Sequence, residues 1–327
     1  MINRKKTWAG VIVGIALLLC SWTAWNQYGP SAGPYSPNSG PYHVLTAKRI
    51  ILHDAKRKKD LPLKIYYPAI PGRFPVVVFS HGALASKDCY SELGRYWASF
   101  GYVVIHPSHA DSIADSGFRG SLLQAINDPQ GWQNRPKDIS FILDSLAEIE
   151  RLVPQLKGEL DSNHIGVGGH SFGAYTAGAI GGATIVVPGR DRPQSFADPR
   201  VSAVLLLSPQ GEGRMGLTAH SWDSLRRPML LMYGSRDFGP DGEAAEWRAE
   251  PYRKAPPGNK YEVEIEGGTH MGFASPTRGL ELQFQCARLE TLAFWDAYLK
   301  QDPNGKQYLV SNSLQKFSAS AARFSSK

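Results

Sequence analysis

The chain has 327 residues, of which 42% are hydrophobic and 20% charged, a composition typical of a globular protein with a buried core. Its net charge of +7 does not indicate a nucleic-acid partner, because residues 1–42 and the run Lys56-Arg57-Lys58-Lys59 account for all of it. A nucleic-acid-binding face needs basic residues spread among stacking aromatic residues. We therefore interpret residues 56–59 as an exposed turn.

The amino-terminal residues 1–25 have the pattern of a signal or membrane anchor. Arg4, Lys5 and Lys6 precede an uncharged, largely apolar run over residues 7–25, which is long enough to cross a bilayer with its basic end in the cytoplasm. Trp22 stands where a cleavage site needs a small residue, so an uncleaved anchor is favoured over a cleaved signal, and a lipoprotein signal ending at Cys20 is the third alternative. In each case the rest of the chain is exported, either anchored with its body outside the membrane or secreted.

Composition divides the remaining chain into three parts. Residues 26–42 are rich in Gly, Pro, Ser and Asn, which predicts a flexible linker. Residues 312–327 are rich in Ser and Ala, which predicts a disordered tail. No linker-like stretch divides residues 43–311, which we expect to form one domain.

That domain alternates strand and helix patterns. A hairpin is predicted around the basic turn, followed by short apolar runs typical of buried strands, with amphipathic segments between them. Such alternation predicts an α/β fold with a mostly parallel central sheet, an antiparallel amino-terminal hairpin and helices on both faces. The predicted strands are 42–53, 61–69, 74–82, 102–109, 164–169, 201–209, 227–234 and 260–267, and the predicted helices are 87–101, 136–153, 172–182 and 280–299.

The stretch "HIGVGGHSFGAY", residues 164–175, contains four glycines around one serine. It is not a dinucleotide fingerprint, because position 171 is serine where the third glycine is needed, and it contains no Gly-Lys-Ser/Thr of a P-loop. It does contain Gly-x-Ser-x-Gly, with Gly169, Ser171 and Gly173, between a predicted strand and a predicted helix. This is the pattern of a nucleophile elbow, in which a strained turn exposes the serine hydroxyl and small neighbours avoid backbone clashes.

A serine nucleophile needs a general base, and the base needs an acid that orients it. Asp237 follows the strand 227–234, and His270 follows the strand 260–267. The order Ser, Asp, His is that of α/β-hydrolases, and the carboxyl ends of parallel strands lie at one edge of a sheet. Ser171, Asp237 and His270 are therefore predicted to be the catalytic residues. Alternative acids are Glu212, Asp241 and Glu243.

The predicted oxyanion hole consists of two backbone N–H groups. One belongs to Phe172, directly after the nucleophile, and the other to Ala83, which follows His81-Gly82 in the loop after strand 74–82. The segments 110–135 and 209–227, the latter with Met215 and Trp222, are predicted to wall or cover the pocket.

Five motifs resemble α/β-hydrolases of the dienelactone-hydrolase type and the wider group that contains the platelet-activating-factor acetylhydrolases. They are "FPVVVFSHGALAS", "RPKDISFILDSL", "IGVGGHSFGAY", "YGSRD" and "GGTHMGF", spread over about residues 45–310. The resemblance implies an α/β-hydrolase fold and ester hydrolysis. Two positions depart from it: Ser171 replaces the cysteine of true dienelactone hydrolases, and Ser208 stands where the plasma-type acetylhydrolases have their acid, so neither substrate specificity carries over.

In this type of fold the helices that carry Cys89 and Cys286 lie on the same face of the sheet, so we expect a disulfide between these two residues of the exported chain. His106, His109 and Asp111 match no standard zinc spacing, and strand alternation separates them, so we expect no metal.

The sequence thus predicts a serine carboxylic-ester hydrolase that needs no cofactor and acts on a small-molecule or lipid ester. The alternatives are an acyltransferase, a phospholipase-like or acetylhydrolase-like lipid esterase, and a non-catalytic binding domain on the same scaffold. The oligomeric state is left open.

Overall fold

A nine-stranded mixed sheet forms the centre of the protein in a computed structural model that describes residues 35–327. Its strand order is β1-β2-β4-β3-β5-β8-β9-β10-β11, and a separate two-stranded sheet pairs β6 with β7. The six strands from β4 to β10 in that order are mutually parallel, whereas β1, β2 and β11 pair antiparallel with their neighbours. The strands are β1 (Val44–Asp54), β2 (Lys59–Pro68), β3 (Phe74–Ser80), β4 (Val103–Pro107), β5 (Leu160–His170), β6 (Thr184–Ile185), β7 (Gln194–Ser195), β8 (Val201–Leu207), β9 (Met229–Gly234), β10 (Lys260–Ile265) and β11 (Ala322–Ser326).

Helices connect the parallel strands, as crossover connections require. The helices are α1 (Ser91–Ser99), α2 (Ile113–Ser116), α3 (Leu122–Ile126), α4 (Pro129–Asp144), α5 (Leu146–Leu152), α6 (Phe172–Gly181), α7 (Glu250–Lys254), α8 (Glu281–Leu299), α9 (Pro303–Leu309) and α10 (Ser313–Phe317), with short 3₁₀ turns at Pro154–Leu156, Ala245–Ala249 and His270–Phe273.

The alternation of side chains along β3 explains why both faces of the sheet are covered. Val76 and Val78 belong to one buried cluster, together with residues of α4, α5 and α6. Val77 and Phe79 belong to the opposite cluster, together with residues of α1 and α8. Because successive strand residues point to opposite faces, a continuous apolar strand such as β3 stabilises two helix layers at once.

The predicted α/β class, the parallel sheet and the amino-terminal hairpin are confirmed. One predicted helix is divided: residues 136–153 form the second half of α4 and all of α5, which meet at Ser145. The Ser145 hydroxyl donates to the carbonyl of Phe141, 2.7 Å away, a bond from a side chain to the preceding turn that competes with continuous helix.

The prediction of a disordered tail over residues 312–327 is wrong. These residues form α10 and β11, and β11 pairs with β10 at the edge of the sheet, for instance Val263 with Phe324. Phe324 also packs its ring against Tyr261, 5.9 Å between centroids. The composition of the tail concealed this strand because only its alternate residues face the protein.

The second half of the predicted linker is also attached to the body. Tyr35 packs edge-on against Tyr308, and the carbonyls of Ser36 and Pro37 accept hydrogen bonds from Tyr96 and Arg288. The predicted anchor over residues 1–25 and the first half of the linker lie outside the described residues. Within residues 35–327, no helix is both long enough and apolar enough to span a bilayer.

Candidate active site

Ser171 lies in a strained turn between β5 and α6, with φ 55° and ψ −120°. Positive φ is rare for residues other than glycine, and here the close backbone contacts of the two flanking glycines hold the turn in this conformation. A Cβ atom built on Gly169 would lie 2.2 Å from the Gly173 carbonyl, and one built on Gly173 would lie 1.9 Å from the Ser80 carbonyl oxygen. Both glycines are therefore required by backbone-to-backbone contact, and Ser171 stands at the amino terminus of α6, where positive potential favours an anion.

Asp237 and His270 approach each other from adjacent turns. Asp237 follows β9 and His270 follows β10, and a Cβ built on Gly234 would lie 2.2 Å from the Gly268 carbonyl, so the two turns touch directly. The Nδ1 atom of His270 lies 2.9 Å from Oδ1 of Asp237. Since the carboxylate accepts, this hydrogen bond places the proton on Nδ1 and leaves Nε2 as the basic nitrogen of the neutral ring.

Two further side chains, neither of which the sequence assigns to this contact, hold Asp237. Arg248, from the turn before α7, donates through Nε to Oδ1 of Asp237 at 2.9 Å, and the Ser208 hydroxyl donates to Oδ2. Burial alone would raise the pKa of Asp237, but the hydrogen bond from His270 and the charge of Arg248 outweigh it and hold this pKa below its usual value. Ser208, which stands where the plasma-type acetylhydrolases have their acid, thus hydrogen-bonds to Asp237.

Gln283, on α8, fixes the turn that carries His270. Its Oε1 accepts from the N–H of Thr269 at 3.0 Å, and its Nε2 donates to the carbonyl of Thr269 at 2.8 Å. Both polar groups of the residue before His270 are therefore held by one buried amide. No sequence motif marks Gln283 or Arg248, whose partners lie in other elements, 14 and 11 positions earlier in the chain.

His170 connects the elbow to the turn of His270 and to the predicted oxyanion loop. Its Nε2 donates to the His270 carbonyl at 2.8 Å, so its Nδ1 accepts from the Tyr90 hydroxyl at 2.8 Å. Tyr90 in turn accepts from the N–H of Gly82 at 3.3 Å. Burial, with the His270 ring beside it, lowers the pKa of His170 to about 3. The ring therefore stays neutral, and its Nδ1 can accept from Tyr90.

The two predicted oxyanion donors lie on either side of the elbow. Phe172 is the first residue of α6, so its N–H has no partner within the helix. A Cβ built on Gly82 would lie 3.6 Å from Cβ of Ser171, which brings the loop of Ala83 against the serine. The Phe172 ring itself is buried, so its side chain packs in the core.

The alternative acids have other partners. Glu212 pairs with Lys254, and Arg214 pairs with both Asp241 and Glu243. Met215 and Trp222, in the segment 209–227, belong to the buried cluster beside α6. The role of this segment as a pocket wall stays a prediction.

The predicted disulfide between Cys89 and Cys286 is wrong, because both thiols are free. Cys89 lies in the exposed turn before α1, whereas Cys286 is completely buried in α8. Although α1 and α8 cover the same face of the sheet, as expected, the first thiol faces solvent and the second faces the core.

A second Ser-His-Asp arrangement lies behind the elbow. His109 Nδ1 is 2.8 Å from Oδ2 of Asp138, and its Nε2 is 2.9 Å from the hydroxyl of Ser80. All three side chains are buried, with 1% or less of each residue exposed. His106 points to the opposite face and packs against the rings of Tyr66 and Phe79. Within residues 35–327, no group of three or more His, Cys, Asp or Glu side chains is placed to hold a metal ion.

The parallel sheet, its antiparallel amino-terminal hairpin and the Gly-x-Ser-x-Gly turn between β5 and α6 are the architecture of the α/β-hydrolase fold. Comparison with known families agrees: residues 38–185 match the family model of chlorophyllase.

Curated relatives include two kinds of ester-hydrolysing enzyme. The chain is 28% identical over 147 residues to the platelet-activating factor acetylhydrolase of Cavia porcellus, covering 36% of this chain and 34% of the relative. It is 31% identical over 137 residues to the enzyme of the same name from Canis lupus familiaris, covering 32% and 31%. It is 29% identical over 147 residues to chlorophyllase-1, chloroplastic, of Citrus unshiu, covering 42% and 38%. The chain thus spans about a third of the length of these relatives.

Proposed function

We propose that this protein is a serine hydrolase that cleaves carboxylic esters, with Ser171 as nucleophile, His270 as general base and Asp237 as the acid that orients it. The observation that carries the proposal is the hydrogen bond of 2.9 Å between His270 Nδ1 and Asp237 Oδ1. The His270 ring also packs 4.7 Å from the ring of His170, the residue directly before Ser171 in its strained turn. Relatives named for ester hydrolysis support the same reaction class.

In this mechanism the Ser171 oxygen attacks the ester carbonyl carbon while its proton moves to Nε2 of His270. The backbone N–H groups of Phe172 and Ala83 donate to the oxygen of the tetrahedral intermediate. The intermediate collapses as the C–O bond to the alcohol breaks, and the alcohol leaves with the proton from His270. Water then attacks the acyl-enzyme, giving its proton to His270, and Ser171 recovers a proton as the carboxylic acid leaves.

Labelling with a fluorophosphonate tests the proposed role of Ser171, since the probe reacts with an activated serine. We expect one adduct, on Ser171, and its loss in Ser171→Ala with the fold retained. Ser80→Ala is the matched control, because Ser80 also contacts a histidine that contacts an aspartate but is completely buried. Absence of an adduct on the wild-type protein, with the fold intact, would overturn the proposal and favour a binding domain on this scaffold.

The substrate we favour is an ester with an apolar acyl or alcohol group. Phe238 and Met271 directly follow Asp237 and His270, and they are 60% and 59% exposed. Large apolar side chains that remain in water beside a reactive site favour an apolar ligand. A series of p-nitrophenyl esters should show kcat/KM rising from acetate towards medium-chain acyl groups, and a preference for acetate would contradict this. Transfer of the acyl group to an added alcohol would instead identify an acyltransferase.

We also propose that the protein is exported, with residues 1–25 as an anchor or signal. The support is the basic cluster followed by an uncharged apolar run in the sequence. Fractionation of cells that make the full chain, with and without residues 1–25, tests this. Membrane association that depends on residues 1–25 supports an anchor, release supports secretion, and cytoplasmic recovery of the full chain would contradict export.

A further inference from the structure

A buried arginine on α4, Arg135, contacts both parts of the predicted oxyanion hole. Only 1% of the residue is exposed, and it lies between the loop after β3 and the first residue of α6. Its Nη1 donates to the His81 carbonyl at 2.6 Å, and its Nη2 lies 3.3 Å from the Gly82 carbonyl oxygen. Its guanidinium carbon lies 4.1 Å from the centre of the Phe172 ring, a distance that allows a cation–π contact.

The contact of Arg135 with the Gly82 carbonyl determines where the N–H of Ala83 points. The described chain has only trans peptide bonds, and in a trans peptide the C=O and the N–H point in opposite directions. The Gly82 carbonyl faces Arg135, so the N–H of Ala83, in the same peptide unit, faces away from Arg135. Within residues 35–327 this N–H donates no hydrogen bond, so it remains available for an oxyanion.

The His81 ring holds the same carbonyl. Its Nε2 accepts from the N–H of His109 at 3.0 Å, so its proton lies on Nδ1, which donates to the Gly82 carbonyl at 2.6 Å. Burial and the charge of Arg135 keep the pKa of His81 well below its usual value, which maintains this neutral form. A Cβ at position 82 would lie 3.1 Å from the Tyr90 hydroxyl oxygen, so glycine leaves room for the contact between this loop and Tyr90.

Asp111 binds the Arg135 guanidinium and the loop of Ala83 at the same time. Its carboxylate accepts two hydrogen bonds from Arg135, 3.0 Å from Nε and 2.7 Å from Nη2, and a third from the N–H of Leu84 at 3.0 Å. Burial alone would raise the pKa of Asp111, but the charge and hydrogen bonds of Arg135 hold it well below its usual range. The loop is thus fixed at two carbonyls and one N–H by a single ion pair.

We infer that Arg135, with Asp111, is a positioning residue that sets the geometry of the oxyanion hole. It holds the loop of Ala83 and the ring of Phe172 in fixed positions relative to each other. This rests on the proposed ester hydrolysis. Arg135 contacts no substrate; it acts on the transition state through the two donors. Its planar fork serves carbonyls and a carboxylate at once, which the single ammonium group of a lysine does not.

The test compares Arg135→Lys, which keeps the charge, and Arg135→Met, which keeps most of the volume, with Arg200→Lys as the control. Arg200 also binds α4, through Asp144, but lies away from the loop of Ala83. We expect both Arg135 variants to lower kcat about 100-fold with KM changed less than about twofold, since a misplacement of about 1 Å costs a factor of that order. The control should leave both constants unchanged.

A trifluoromethyl ketone, which forms a tetrahedral adduct with the serine, provides the second readout. Its affinity should fall in proportion to kcat/KM in the Arg135 variants, because both report on the oxyanion. If the Arg135 variants do not fold, Asp111→Asn keeps the shape and should lower kcat about 10-fold. Unchanged kcat in a folded Arg135 variant, or in Asp111→Asn, would overturn the inference. Failure of wild-type Ser171 to react with fluorophosphonate would instead overturn the proposed function.

Discussion

Arg248→Met is the most direct test of how the acid is held. In the wild type, Arg248 and Asp237 form an ion pair in which the two side chains are 3% and 0% exposed. The guanidinium also donates to the carbonyls of Pro209 and Phe238, each at 3.0 Å. The substitution preserves much of the volume, but it leaves a buried carboxylate and two carbonyls without this donor.

Removing one partner of a buried ion pair costs about 3–5 kcal/mol, because the remaining charge is neither solvated nor paired. His270 and Ser208 still donate to Asp237, so we expect the lower end, about 3 kcal/mol, as the loss in free energy of unfolding at pH 7. Equilibrium unfolding in urea, followed by tryptophan fluorescence, measures this loss as a shift of the midpoint at constant slope.

The double variant Arg248→Met/Asp237→Asn separates the charge from the packing. Once the carboxylate is neutral, loss of Arg248 no longer leaves a buried charge, so the double variant should be about 2 kcal/mol more stable than the sum of the single variants predicts. Additive losses would refute the reasoning, as would a loss below about 1 kcal/mol for Arg248→Met alone.

The effect should also depend on pH. The pKa of Asp237 is lower in the folded state, so its contribution is fully present above its unfolded pKa of about 4 and is lost as pH falls through the folded pKa. The difference between wild type and Arg248→Met should therefore be largest near pH 7 and shrink below about pH 4. A difference that grows on acidification would contradict a lowered pKa of Asp237 in the folded state.

Three further predictions follow from contacts around the site and in α8. Gly173→Ala should abolish fluorophosphonate labelling and lower the urea midpoint, because its Cβ would lie 1.9 Å from the Ser80 carbonyl oxygen; retained labelling would contradict this. Tyr90→Phe removes the donor to His170 and should lower kcat about 10-fold with little change in KM, since an angular error in the His270 turn affects the transition state most. Glu290 is buried, its carboxylate has no hydrogen-bond partner among the described residues, and burial raises its pKa to about 8. Glu290 therefore costs no stability below about pH 4 and a growing amount as pH rises from about 4 to 8. Glu290→Gln should match the wild type at pH 4 and be roughly 5 kcal/mol more stable above pH 8; equal urea midpoints there would contradict the raised pKa of Glu290.

The extent to which sequence predicts this molecule depends on how local each signal is. Ser171 and its glycines lie within five residues and follow from the sterics of one turn, and β3 is recognisable from an unbroken apolar run. Strand order predicts Asp237 and His270, because parallel strands end at one edge of a sheet.

The supporting residues were not predictable in this way. Arg248 contacts Asp237 from a 3₁₀ turn with no motif, and Arg135 acts through a fork whose acceptors lie 24 to 55 positions earlier in the chain. Such contacts depend on side-chain reach across the fold, which composition and periodicity do not encode. Sequence composition does not predict the strand β11 for a related reason: an edge strand half in solvent needs few apolar residues, so its sequence resembles a tail.

The position of β11 has a consequence for how this protein can be shortened. Five residues of β11 cover the outer edge of β10, and the backbone of Lys327 exchanges hydrogen bonds with Lys260. A chain cut before Ala322 would present an open parallel strand with free N–H and C=O groups, a surface to which the strand of another molecule can add. Self-association of the truncated protein, rather than loss of the candidate active site, is therefore the first effect to measure when fragments of this protein are designed from sequence composition.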